Sequence, residues 1–297
     1  MHEASTMSSK AIFDAGIHPP QYRLPAATRV GRVRLAVSNL ARSVAFYRDV
    51  VGLAVRTPEP DGIARLGAHG EETVLLELKA VPGVKPIGPR TRLGLYHTAF
   101  LLPSRAALAS FVDHLRESVV SFGSADHLVS EAIYLTDPDG LQVEVYADRP
   151  RSEWRYDGHQ LQMATDPLRS SELAALEHGR WQGAPVGTTM GHLHLYVGDL
   201  KMAAEFYHGG LGLDVMVWRY PGALFTSAGG YHHHVGLNVW AAGSPVASPE
   251  DARMLWWQLV VPEAEGAIAS MRAAGFGDGP SFRDPWGTEV AVVEEIK

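Results

Sequence analysis

The sequence contains no cysteine. That absence excludes disulfides, thiolate metal sites and cysteine nucleophiles, so any metal must be held by imidazole and carboxylate. No apolar run approaches the ~18 residues that a membrane span requires. Lys and Arg form no run, and the net charge is -7, so neither nucleic acid nor a membrane is an expected partner. Residues 1–28 lack the continuous apolar core of a secretory leader, and Met7 is an alternative start. Together these absences predict a cytoplasmic protein.

Histidine is the residue in unusual supply, at 14 in a chain of 297. Hydrophobic residues make up 46% and charged residues 20%. Those are globular proportions, and the length suffices for two ordinary domains or one large one.

The chain repeats itself. Val30–Leu40, followed by Phe46-Tyr47 and Gly52-Leu53, matches Met190–Leu200, followed by Phe206-Tyr207 and Gly212-Leu213. Residue 30 pairs with residue 190, an ungapped offset of 160. Self-similarity over such a span means duplication. Each copy opens with period-2 alternation: Val33, Leu35 and Val37 point one way, Arg32, Arg34 and Ala36 the other, as in a half-buried strand. Asn39 and Asp199 offer N-caps for the helices that follow, and Gly52 and Gly212 stop them. Short strands are predicted next, over Thr73–Leu78 and His234–Trp240. Two further units share the plan. Each closes with a tight turn and a last strand, Asp137-Pro-Asp-Gly140 before Leu141–Tyr146 and Asp284-Pro-Trp-Gly287 before Thr288–Val293.

The pattern is α+β, with four βαβββ modules at about 30–80, 93–148, 190–241 and 254–295. The expected division is an N-terminal extension (1–29), a first two-module domain (30–148), a linker (149–189) and a second two-module domain (190–297). Asp166-Pro167 reads as an N-cap and first-turn proline for a short linker helix running through His178.

The segments SNLARSVAFYRDVVGL (38–53), GLYHTAFLLPSR (94–105), VSEAIYLTDPDGLQVEVYADRP (129–150), MGHLHLYVGDL (190–200) and SAGGYHHHVGLNVW (227–240) resemble the catechol 2,3-dioxygenases of the vicinal-oxygen-chelate superfamily. The likeness runs from about Val30 to the end. It implies that modules pair and that each pair forms a cup. It also implies a metal held by two histidines and a glutamate: one His on the first strand of one module, the other His and the Glu on the first and last strands of its partner. Carried onto this sequence, those places are His192 in module three, and His97 and Glu144 in module two. Modules one and four offer Arg32, Trp256 or Trp257, and Ala291 instead. The resemblance therefore implies that modules two and three form the active cup, within a chain or between chains of a homo-oligomer, and that modules one and four form an empty one.

Alternation places Gln142, Glu144 and Tyr146 on one face of the last strand. His192 and His194 also share a face, so the choice between them rests on the alignment. Each histidine alone reads equally well as a core residue. Their coincidence with the family's places is what makes a triad. Two imidazoles and a carboxylate with open positions suit Fe(II) in oxygenases, and Mn(II) suits the same ligands.

The resemblance further implies an acid–base histidine near His232-His233-His234. His234 matches best, with His232 beside it on the cup face and His233 on the core face. It implies an active-site tyrosine at Tyr134 and a substrate-lining histidine at His127. The implied reaction is extradiol cleavage of a small aromatic diol by O2 to a muconic semialdehyde. Relatives of glyoxalase or epimerase type, lyases or isomerases, usually add a fourth protein ligand, often from the last strand of the other module, and the matching strand here carries His234, Gly236 and Asn238, with no carboxylate. A non-catalytic small-molecule binder would need no triad.

Overall fold

The structure, a computed structural model, describes residues 15–56 and 62–295. Met7 lies outside them. Module one comprises β1 (Arg29–Val37), α1 (Leu40–Ala45), β2 (Ala54–Val55), β3 (Ile63–Gly67) and β4 (Leu76–Ala80). Module two comprises β5 (Gly94–Leu101), α2 (Arg105–Glu117), β6 (Gly123–Asp126), β7 (Ser130–Thr136) and β8 (Gln142–Asp148). The linker contributes β9 (Tyr156–Asp157), β10 (Gln160–Leu161) and α3 (Ser170–Ala174). Module three has β11 (Thr189–Tyr196), α4 (Leu200–Ala204), β12 (Asp214–Val217), β13 (Ala223–Ser227) and β14 (Val235–Asn238). Module four has β15 (Arg253–Val261), α5 (Ala264–Ala273), β16 (Ser281–Arg283) and β17 (Glu289–Glu294).

The duplicated caps form as the sequence predicts. Asn39 accepts from the Arg42 N–H at 3.0 Å, and Asp199 from the Met202 N–H at 2.8 Å. Both helices then widen into a π-type turn, in which Val51 N–H reaches the Phe46 carbonyl and Leu211 N–H the Phe206 carbonyl. Gly52 and Gly212 end them at φ +87° and +93°, a conformation other residues reach only with strain. The two Asp-Pro-x-Gly turns are built alike. Asp137 accepts from the Asp139 and Leu141 N–H groups, and Asp284 from those of Trp286 and Thr288. Tyr47 donates to Asp137 and Tyr207 to Asp284, tying module one to two and module three to four.

The sheets pair differently. The 7-stranded sheet has the order β16-β17-β15-β1-β4-β3-β2, joining modules one and four. The 8-stranded sheet has the order β12-β13-β14-β11-β5-β8-β7-β6, joining modules two and three within one chain. Val33, Leu35, Leu193, Leu195, Phe100 and Leu259 belong to one buried core shared by both sheets. The alternate residues of each strand are left to face the two cups.

The linker departs from expectation. No side chain caps its helix, which starts at Ser170 after Arg169 and ends short of His178. Asp166 cannot serve as the cap, because its N–H and carbonyl both pair with Asp126 at 2.9 Å in an extended bridge. Two strands are also shorter than predicted: the β4 ladder begins at Leu76 rather than Thr73, and β14 spans only Val235–Asn238.

Among the described residues the first cup gathers no metal-ligand set. Arg32, Arg34 and Arg65 converge on Glu77, which is buried. The Arg34 guanidinium lies 4.7 Å from the Trp256 ring centre.

Candidate metal centre

The second cup gathers its chemistry on three neighbouring strands. β5 and β11 pair antiparallel, with His97 opposite His194 and His192 opposite Ala99. β8 lies parallel on the other side of β5, with Glu144 beside Ala99. The pleat therefore points His97, His192 and Glu144 toward one spot. His97 Nε2 lies 3.0 Å from Glu144 Oε2, His192 Nε2 lies 3.3 Å from the same oxygen, and the two Nε2 atoms are 3.3 Å apart. All three side chains are at least 97% buried. Among the described residues this is the group of His, Asp and Glu side chains with metal-ligand geometry.

The donor set fits a divalent cation. A buried carboxylate is costly unless paired or metal-bound. Burial pushes the Glu144 carboxyl upward, but His192 and His97 beside it outweigh that and hold it well below the usual carboxylate range. Burial lowers His192 to about 4 despite Glu144. A neutral imidazole is the form that coordinates. The Nδ1 atoms of both triad histidines are buried without a hydrogen-bond partner, so both rings present Nε2 to the shared point.

Two of the triad, His97 and Glu144, line a cavity of about 450 Å³, while His192 lies behind its wall. His127, Tyr134, His194 and His233 line it with them. His127 Nδ1 is 2.7 Å from the Ala164 carbonyl and must donate to it. Nε2 is then an acceptor, so the Tyr134 hydroxyl, at 2.6 Å, donates to His127. Burial, followed by the Glu144 charge, raises Tyr134 well above its usual range and keeps it protonated.

The histidine run is arranged otherwise than alternation implies. His233 lines the cavity, its ring centre 4.0 Å from that of His192. His232 lies fully buried behind it. His234 is not a lining residue; its Nδ1 accepts from the Ala228 N–H, and its ring lies 5.1 Å from Tyr231. The face assignment for His232, His233 and His234 is thus corrected. Its cause is local: β14 begins only at Val235, and the run leaves a turn through Gly229 and Gly230 at φ +64° and +67°. Strand alternation does not extend into that turn. Tyr231 also lies away from the mouth, its hydroxyl 2.7 Å from that of Tyr146.

Other contributors complete the cavity, and of these the linker segment carries no sequence signal. His194 is seated over Gly236, where a Cβ would lie 2.8 Å from its Cδ2. Met163, Ala164 and Thr165 bring the linker across as a wall, and the Thr165 hydroxyl lies 2.7 Å from that of Tyr220. Tyr220 and Trp240 line the cavity; Trp218 does not. Trp181 lies in a separate surface groove of about 900 Å³ with Asp113 and His178, which holds no triad residue.

The family model for the Glyoxalase/Bleomycin resistance protein/Dioxygenase superfamily matches residues 29–145 and again 189–295. The chain belongs to that superfamily. Within it, the chain is 42% identical over 243 residues to the protein named catechol-2,3-dioxygenase of Bacillus subtilis (strain 168), covering 80% of this chain and 84% of the relative. Two solved structures share the superfamily fold. A putative dioxygenase from Bacillus subtilis superposes with a TM-score of 0.62 at 14% identity, over 93% of this chain and 87% of its own. Glyoxalase I from Zea mays superposes with a TM-score of 0.53 at 15% identity, over 90% and 92%. At those identities the likeness concerns the fold alone. No helix among the described residues is long and apolar enough to cross a membrane.

Proposed function

We propose that this protein is an extradiol dioxygenase that cleaves a catechol with O2 at an Fe(II) centre held by His97, His192 and Glu144. The observation that carries the reading is the buried His–His–Glu set, of which His97 and Glu144 line an aromatic-rich cavity. The relative named catechol-2,3-dioxygenase supports it. Bound there, iron would supply a Lewis acid that lowers the hydroxyl pKa of the diol, together with open positions where diol and O2 meet.

The protein's own groups do the rest. Tyr134 and His127 form a hydrogen-bonded pair on the cavity wall and orient a substrate oxygen. For proton transfer the reading takes His233 in place of His234. His232 Nε2 lies 2.9 Å from Asp148 and donates to it, so His232 Nδ1 accepts from His233 Nδ1–H at 2.6 Å. That fixes the His233 tautomer with Nε2 as a free base. Met163 to Thr165 add a segment of the linker to the cavity wall. In the balanced reaction the ring C–C bond beside the diol breaks, and both atoms of O2 enter the semialdehyde product.

The test is anaerobic loading with Fe(II), then catechol and air, with His192→Ala alongside. A yellow ring-cleaved product that requires both iron and His192 is expected. Mn(II) loading run in parallel identifies the metal. Iron bound tightly with no catechol consumed would defeat the dioxygenase reading and favour lyase or isomerase chemistry.

A further inference from the structure

The two cups are related by the repeat, and place by place their chemistry is inverted. The offset of 160 sets Arg32 on His192 and Arg34 on His194. In the second cup, His194 lies across from Gly236 on one neighbouring strand and from His97 on the other. In the first cup, Arg34 lies across from Glu77 on one side and Trp256 on the other. Two residues beyond His97, Ala99 has Glu144 beside it; two beyond Trp256, Gln258 has Ala291. Guanidinium groups therefore stand at the imidazole places, and a methyl group stands where the triad has its carboxylate. A floor of that kind attracts an anion rather than a cation.

Glu77 does not use the two arginines up. Arg32 reaches its Oε1 through Nη1 at 2.9 Å, and Arg34 reaches its Oε2 through Nε at 2.6 Å and Nη2 at 2.5 Å. A guanidinium carries five N–H donors, so most of both forks is left for water or a ligand. Trp256 holds the forks from the side, its ring centre 4.7 Å from the Arg34 guanidinium and 5.7 Å from that of Arg32. Glu77 and Trp256 together pre-position the donors, which lowers the ordering cost of binding. The Arg32 and Arg34 side chains stay 34% and 24% exposed, and Trp256, Gln258 and Ala291 are half-buried, so a small molecule can reach the floor. The chain as a whole carries a net charge of -7, which makes this positive concavity a local feature.

A planar fork matches a carboxylate through two parallel N–H···O bonds. Trp256 and Ala291 add apolar surface beside the forks. We propose that the first cup is a binding site for a small organic carboxylate with an apolar body, its oxygens taken by Arg32 and Arg34 and its body laid against Trp256 over Ala291. The site is separate from the candidate metal centre and does not rest on the dioxygenase reading.

The experiment titrates benzoate, and separately inorganic phosphate, into the full chain by calorimetry at low salt, where partly exposed charges are least screened. Benzoate should bind at one site per chain and more tightly than phosphate, which has no apolar body. Ala291→Glu should abolish the binding heat, because it returns a carboxylate to the ligand's place and gives the arginines a partner rather than removing one. Arg34→Met should weaken benzoate about tenfold or more, the measure of a lost charge-assisted hydrogen bond. That variant strands Glu77, so its unfolding midpoint is read alongside, and Ala291→Glu carries the test if Arg34→Met does not fold. His192→Ala should bind benzoate as the unaltered protein does. No benzoate heat, heat unchanged by Ala291→Glu, or heat lost in His192→Ala would overturn the proposal. Phosphate bound as tightly as benzoate would overturn the assignment to a carboxylate with an apolar body.

Discussion

At the scale of single residues, the site depends on which histidine of a run meets the cavity. His97, His192 and Glu144 were picked out by the family resemblance, and the period of two in their strands agreed with it by fixing the face of each. His233 was not, because it precedes the first residue of β14 and follows two glycines with positive φ. A pair of substitutions separates the assignments. His233→Gln should lower kcat by ~10²–10⁴-fold, the range of a lost acid–base group, with iron still bound in full. His234→Gln should leave kcat within a fewfold, since its Nδ1 only receives the Ala228 N–H. Steady-state kinetics with the iron content measured on the same samples decides it. The opposite ranking would return the role to His234. Under the proposed site, Glu144→Gln should abolish tight iron binding, because it removes the one carboxylate of the set found among the described residues yet keeps the side chain's shape. Iron retained at full occupancy in that variant would show that the carboxylate is not a ligand.

At the scale of elements, strands and caps were readable, and the linker's contribution was not. Asn39, Asp199 and the two Asp-Pro-x-Gly turns act through hydrogen bonds to neighbours in sequence, and local chemistry of that kind leaves a pattern. Met163 to Thr165 form a wall through tertiary pairing of Asp166 with Asp126, which no local pattern announces. The turns carry a pH prediction. Burial raises the Asp137 carboxyl from 3.8 to about 6, against the backbone hydrogen bonds that lower it. The native state therefore holds this proton more tightly than the unfolded chain. The contribution of the group is complete below pH 3.8 and is lost as pH rises through about 6, a change of order 3 kcal/mol at 1.36 kcal/mol per pKa unit. Asn at this position keeps the shape and cannot ionise. Urea unfolding at pH 5 and pH 7.5 should show Asp137→Asn gaining on the unaltered protein at the higher pH. Parallel stabilities at both values would mean that Asp137 ionises freely in the native state.

At the scale of the molecule, the notable feature is that modules adjacent in sequence do not share a sheet. The tyrosine–aspartate bonds join one to two and three to four, while the ladders join one to four and two to three. The sequence carried the second fact only through complementary gaps: a module with Arg32 in the ligand position cannot complete the set. Whether the complement came from the same chain was not legible, because a sequence pattern holds no distance between modules. The duplicate cup replaces ligands with charge. Glu77 is buried among Arg32, Arg34 and Arg65, whose side chains are 34%, 24% and 19% exposed. Breaking a buried pair costs ~3–5 kcal/mol, and partial exposure of the arginines screens that, so Glu77→Gln should destabilise the fold by about 1–3 kcal/mol. The triad stands on the other sheet, and its strands keep their own register. Iron affinity measured below the unfolding transition should therefore be unchanged in Glu77→Gln. If the two cups are one coupled unit, weaker iron binding will accompany the lost stability; if they share a core but act separately, only the unfolding midpoint will move.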